Sequence, residues 1–252
     1  TCQVLKTWQV SRRGEHGMSK QRLIEEAQKT LDGHEFKQLA SWGDGSSEVW
    51  ECSRPGSSVY AFTICITRMG IAILGDIDGL TFNVGSNYGM PFLAGNDVSY
   101  YIHSKLESDC KKQELNQERL LEWITTQVAN HIGNQYRAAL GTAGIDLPEW
   151  IGDHDYGLGD FEPLKDFVYD VYQKLELMHD LWDWFHACHD FLDSVEGVND
   201  EQEVYALDLD EVDFAWYDAP SLTQPAESLM FRLYLVNEAA KRIMVLKEKD
   251  KG

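Results

Sequence analysis

Between residues 36 and 84 the chain is punctuated every few residues, and this spacing limits its fold more than any other feature. Residues 49–52, 59–68, 71–74 and 80–84 are short runs rich in β-branched and aromatic side chains. Gly43-Asp44-Gly45, Arg54-Pro55-Gly56, Met69-Gly70 and Asp78-Gly79 separate them, all residue types that favour turns. Parallel neighbours need a crossover of about a dozen residues or more, and no such length lies between these runs. The spacing predicts an antiparallel meander of four or five strands.

Helical periodicity surrounds this block. Ser19 is placed to cap a helix running to about Leu31, with Leu23, Ile24 and Ala27 on one face and Asp32-Gly33 ending it. Residues 85–95 hold three glycines and a proline and read as a loop, and residues 98–106 as a short helix. Residues 117–140 predict a long amphipathic helix, with Leu120, Leu121, Ile124, Val128, Ile132 and Tyr136 at helical spacing. Beyond a break at 141–148, helices are expected at 164–178 and 180–195, an extended piece at 204–217 and a final helix from about 225 to 247. The fold class is therefore α+β, an N-terminal antiparallel sheet with flanking helices followed by an acidic, mostly helical subdomain. Residues 18–140 are assigned to the α+β domain, and 141–252 to the acidic subdomain with the C-terminal helix. One domain with a subdomain excursion and two domains divided near 141–148 both fit this order of elements. Residues 1–17 have little periodicity, and Met18 is expected to be the natural start after a leader.

An apolar content of 43% with eight Trp supports real cores despite a net charge of −20. No run of about 18 apolar residues is present to span a membrane, and the start lacks the basic-then-apolar profile of a signal peptide. The five cysteines, Cys2, Cys52, Cys65, Cys110 and Cys188, are odd in number and form no Cys-x-x-Cys pair. That pattern suits reduced thiols and a cytoplasmic location.

The charge is confined to one stretch. Residues 145–218 hold 22 Asp and Glu against two lysines, Lys165 and Lys174, whereas the remaining residues balance at 20 acids and 20 bases. A disordered acidic tail would avoid self-repulsion by staying extended. This stretch also carries Trp150, Phe161, Phe167, Tyr169, Tyr172, Trp182, Trp184, Phe185, Phe191, Phe214 and Trp216, which call for a core. A folded scaffold that displays carboxylates at high density is the expectation. Such a surface can imitate the phosphate ladder of a duplex, which presents a charge about every 1.7 Å of axis, and would repel nucleic acid itself. The carboxylates expected to meet a partner are Asp153, Asp155, Asp160, Asp166, Asp170, Asp180, Asp183, Asp190, Asp193, Asp208, Asp210, Glu211 and Asp213.

In charge and aromatic content, residues 145–218 resemble the DNA-mimic inhibitors carried by phages, including some anti-CRISPR and anti-restriction proteins. The block from Gly75-Asp76-Ile77-Asp78-Gly79-Leu80 through Tyr100-Tyr101-Ile102-His103 also looks like phage proteins. This likeness implies a counter-defence inhibitor that works in the host cytoplasm by blocking a basic protein or nucleoprotein complex. The sheet and its helices would then serve as scaffold or as the interface of a homodimer.

Three patterns invite other chemistry. His179, Asp183, His186 and Asp190 fall at i, i+4, i+7 and i+11, and two His with two carboxylates suit zinc or iron. One helix usually supplies only two ligands, and this stripe lies opposite Leu181, Trp184, Phe185, Cys188 and Leu192, so it is read as facing solvent or a partner. The run 71–79, an apolar strand ending in Asp76-Ile77-Asp78-Gly79, resembles the first motif of haloacid-dehalogenase-type phosphatases. That likeness implies the alternative of a magnesium-dependent phosphohydrolase with Asp76 as nucleophile and Asp78 as acid/base. A hairpin turn built from ordinary turn residues explains the same run. Asp153-His154-Asp155-Tyr156-Gly157 and the 208–213 carboxylates lack the closing glutamate and spacing of a calcium loop. No catalytic residue, metal ligand or cofactor is therefore assigned.

Overall fold

Alternation in the N-terminal half becomes a sheet with one packed face. A computed structural model describes residues 19–43, 47–85, 88–151, 161–175, 179–198, 200–210, 212, 214, 216 and 219–249. Ser19 caps the first helix, α1 (Lys20–Thr30), its hydroxyl accepting from the Arg22 N–H, and Leu23 and Ala27 are buried. Then β1 (Glu35–Trp42), β2 (Ser47–Ser53), β3 (Phe62–Thr67), β4 (Gly70–Gly75) and β5 (Leu80–Phe82) form an antiparallel sheet in the order β1-β2-β3-β4-β5. Register rows such as Trp50↔Ile64↔Ile73↔Leu80 put large side chains on one face, where each is buried. β1 was not among the strong strand runs. It is an edge strand, with a register irregularity between Gln38 and Ala40, and its Leu39 and Trp42 are exposed.

The expected loop at 85–95 contains a short helix, α2 (Met90–Gly95), with Pro91 in its first turn, and Met90, Phe92 and Leu93 are buried. A π-helical turn, Val98–Ile102, replaces the start of the helix expected at 98–106. Next, β6 (Gln113–Leu115) leads into α3 (Gln117–His131), a π-helical turn at Ile132–Tyr136 and α4 (Arg137–Thr142), which cover the long predicted helix. α5 (Glu162–Lys174) and α6 (His179–Val195) follow. The described residues among 204–217 are not extended as expected. α7 (Glu201–Val204) is followed by a turn and a bridge between Leu209 and Val212, where Leu209, Val212 and Phe214 are buried. β7 (Thr223–Pro225) pairs with β6, and α8 (Glu227–Lys249) is the last described element.

Two compact units result, Thr1–Lys112 with Pro225–Gly252, and Gln113–Gln224. The division falls at 112/113 and 224/225, not near 141–148. The long helix expected with the sheet belongs to the second unit, where Leu120, Ile124 and Val128 share a core with α5 and α6. The last helix belongs to the first unit, where Leu229, Leu233, Val236 and Ala240 share the core of the sheet, α1 and α2. An amphipathic helix announces that it buries a face, but not against which partner. Within the first unit, Arg242 of α8 donates to the Leu31 and Gln28 carbonyls at the end of α1, satisfying groups that a helix C-terminus leaves open. Among the described residues no helix is long and apolar enough to cross a membrane.

Candidate functional site

The division into units is also a division of charge. Residues 113–224 carry 25 Asp and Glu against four Lys and Arg, a net of −21, while the other unit carries 17 against 18. Within the acidic unit, α5 buries Leu164, Val168 and Val171. α6 buries Leu181, Trp184, Phe185, Cys188 and Leu192, the set expected from the helical wheel. Turning those faces inward leaves Asp166 and Asp170 of α5, and Asp183, His186, Asp190 and Asp193 of α6, exposed. Asp208 and Asp210, on either side of buried Leu209, are exposed too. Asp153, Asp155, Asp160, Glu211 and Asp213 lie outside the described residues, as does the Asp180 side chain, although its backbone is in α6.

The exposed carboxylates are not all equally available. Lys165 of α5 reaches Asp193 at 2.8 Å and Glu196 at 3.1 Å, tying α5 to the end of α6. Partial burial pulls the Lys165 ammonium down, but these bonds outweigh it and hold its pKa above the ordinary lysine value. His186 Nδ1 lies 3.3 Å from Asp190, and His189 Nδ1 lies 3.6 Å from Asp190 and 3.7 Å from Asp193. Asp166, Asp170 and Asp183 have no ion-pair partner among the described residues.

Sequence reasoning assigned every aromatic of this stretch to the core, and several are at the surface instead. Tyr172 of α5 stacks on Trp182 of α6 with centroids 4.2 Å apart, and both rings are only partly buried. Tyr169 is 46% exposed and lies 6.0 Å from His189. Trp182 was legible as an outlier, because it falls outside the wheel sector of Trp184, Phe185 and Cys188. Tyr169 and Tyr172 each follow a buried valine, Val168 and Val171, which turns them off the packed stripe.

Other marked residues have structural partners. The His179 side chain lies outside the described residues, and among the described residues, which include Asp183, His186 and Asp190, no group of three or more potential metal ligands converges. Asp76 and Asp78 sit in the turn between antiparallel β4 and β5. Gly75 before them has φ +138°, and a Cβ there would fall 2.4 Å from the Ala61 carbonyl oxygen, so the tight approach of the neighbouring strand needs glycine. Asp76 accepts the Tyr60 N–H at 2.9 Å, which holds Tyr60 in a left-handed conformation at φ 54°. Asp78 accepts from nearly buried Arg232 at 3.1 Å and pairs with Lys112 at 3.6 Å. Both carboxylates thus bond to neighbours around an antiparallel hairpin. A cavity of about 590 Å³ in the same unit mixes Arg22, Lys29 and Arg54 with Glu25 and Glu26.

The chain matches no family model, no curated protein and no solved structure.

Proposed function

We propose that this is an interaction protein whose acidic unit binds and blocks a basic, nucleic-acid-binding partner complex, in the manner of a phage counter-defence inhibitor that imitates DNA. The observation that carries this reading is the coincidence of charge with architecture: −21 on residues 113–224 and +1 on the rest. Charge kept only for solubility has no reason to gather on one unit, because gathering it raises self-repulsion. Carboxylates fixed on α5 and α6 by a packed core are the rigid rows that a phosphate-binding partner can recognise. They also steer association electrostatically and turn free nucleic acid away.

The reading is tested by immobilising the chain and capturing basic proteins from a bacterial extract. Elution is then attempted with duplex DNA and with salt raised from about 50 mM to about 200 mM. Nucleic-acid-binding proteins should be retained, should leave with either eluent, and should not be retained by an Asp166→Asn/Asp170→Asn/Asp183→Asn/Asp190→Asn variant. Retention that ignores salt, duplex and all four substitutions would defeat the proposal.

A further inference from the structure

We infer that the α5–α6 face selects arginine over lysine in its partner, the surface rings of Tyr169, Tyr172 and Trp182 stacking guanidinium groups that neighbouring carboxylates attract. This rests on the proposed acidic-surface function and specifies the chemistry of the partner. Carboxylates alone would not mark a site, nor would they tell one cation from another, since Arg and Lys carry the same charge. The rings break that equivalence. A guanidinium is planar, weakly hydrated and stacks on aromatic faces, and its fork fits a carboxylate bidentately; an ammonium is a compact, strongly hydrated point charge.

The geometry supplies both elements together. Tyr172 and Trp182 lie nearly parallel at 25° and 4.2 Å, bridging the two helices while keeping part of their surface in solvent. The His189 ring is also within 25° of parallel with Tyr172, at 6.0 Å, and carries the aromatic strip toward Tyr169. Along α5, exposed Asp166 has exposed Tyr169 at i+3 and exposed Asp170 at i+4, so one carboxylate lies beside the ring and the second lies beside the first. Neither carboxylate has a cation among the described residues, whereas Lys165, on the same helix, is already taken by Asp193 and Glu196. A helix pair that needed these rings only for its own seam could bury them as it buries Phe185, which is 0% exposed. The occupant that matches a strip of rings beside carboxylates with no cation among the described residues is an arginine-bearing segment of a basic protein.

Nona-arginine and nona-lysine peptides, equal in length and charge, are titrated calorimetrically into the full chain at about 50 mM and about 150 mM salt. The arginine peptide should bind about tenfold more tightly, a ratio equivalent to ~1.4 kcal/mol. A Tyr169→Ser/Trp182→Leu variant, in which leucine keeps the apolar seam, should lose that advantage and leave lysine binding unchanged. Circular dichroism verifies that the variant is folded, and the comparison on the unaltered chain needs no variant at all. Equal affinity for the two peptides on the unaltered chain would overturn the inference while leaving the acidic-surface reading standing. An arginine advantage that persists in the folded variant would also overturn it. If neither peptide binds, both fail.

Discussion

Trp184 offers the sharpest test of how an acidic unit stays folded. Its indole is 7% exposed and is surrounded by rings, with Tyr136 at 4.5 Å, Phe185 at 4.9 Å and His131 stacked at 5.4 Å. Truncating a buried Trp to Ala costs about 3–5 kcal/mol through lost transfer energy and the cavity left behind. One term opposes this, because the Trp184 Nε1–H is buried without a hydrogen-bond partner among the described residues. A buried unpaired donor costs about 1–3 kcal/mol, and removing it returns that penalty. Trp184→Ala is therefore expected near the lower end, about 3 kcal/mol. Trp184→Phe keeps a ring and sheds the orphan donor, so it should cost less than about 1.5 kcal/mol. Asp183→Asn, one residue away but exposed, should change stability by less than about 0.5 kcal/mol, on the stabilising side because it relieves repulsion. With a urea slope of about 2 kcal/mol/M, the alanine variant should shift the midpoint of the helical circular-dichroism signal by about 1.5 M. If Trp184→Phe proves as costly as Trp184→Ala, the indole N–H is engaged and the reasoning about the orphan donor is wrong. An unchanged midpoint for Trp184→Ala would refute the burial itself.

Further predictions concern the sheet unit and the buried thiols. Glu48 is 3% exposed and accepts from Trp50 Nε1 at 2.8 Å and from part-exposed Lys247 Nζ at 2.8 Å, so Glu48→Ala, which leaves the Trp50 N–H unpaired and Lys247 to water, should cost about 1–3 kcal/mol by urea unfolding. Burial is the main influence lowering the pKa values of His34 and His103 below the ordinary 6.5, with Arg54 and Arg242 assisting at His34 and Lys111 at His103. The unfolded chain then binds protons more readily, so this stability is full above about pH 6.5 and is lost as pH falls through the lower folded values. A His34→Gln/His103→Gln variant should show a flatter loss of urea midpoint between about pH 7.5 and 5.5. Burial pushes the Cys52 thiol up to about 12 and raises Cys188 further still, so a maleimide followed by mass spectrometry should label half-buried Cys65 and Cys110 well before these two.

What was legible in the sequence was whatever is decided within a few neighbouring residues. Strand alternation around Trp50, Ile64 and Ile73 identified the sheet because each of those residues has its packing face set by a period of two. The wheel of α6 separated Leu181, Phe185 and Cys188 from Asp183, His186 and Asp190 for the same kind of reason. Long-range choices were not legible. α8 buries Arg232, Leu233, Tyr234, Leu235, Val236 and Asn237 in succession, so it has little polar face from which to guess a partner. Its polar members are satisfied by distant groups: Arg232 donates to the Ile77 carbonyl and Asn237 to the Leu93 carbonyl. β1 escaped notice because an edge strand need not alternate. At the candidate site the carboxylates could be named from charge density alone, but the ring strip could not. Tyr172 and Trp182 lie in different helices, and only the packing of α5 on α6 brings them together.

Confining the charge to one unit has a physical consequence that separates its folding from its binding. Repulsion among 25 acids acts chiefly within residues 113–224, since charges more than about 8–10 Å apart are largely screened at physiological ionic strength. The opposing term is an aromatic core, in which Phe191 stacks on Phe214 at 5.4 Å and Trp123 meets Trp216 at 4.7 Å. Adding salt weakens the repulsion and leaves the burial of these rings intact, so the acidic unit should become more stable as salt rises. Association with a basic partner should respond in the opposite direction, because screening removes the attraction and competing counterions fill its place. The two responses can be followed on one sample series, with urea midpoints and partner affinity measured from about 50 mM to about 500 mM salt. Opposite slopes are the expected result. Two falling slopes would mean that the carboxylates hold the fold together through internal pairs like Lys165 with Asp193, and in that case the surface is spent on structure and has little left to offer a partner.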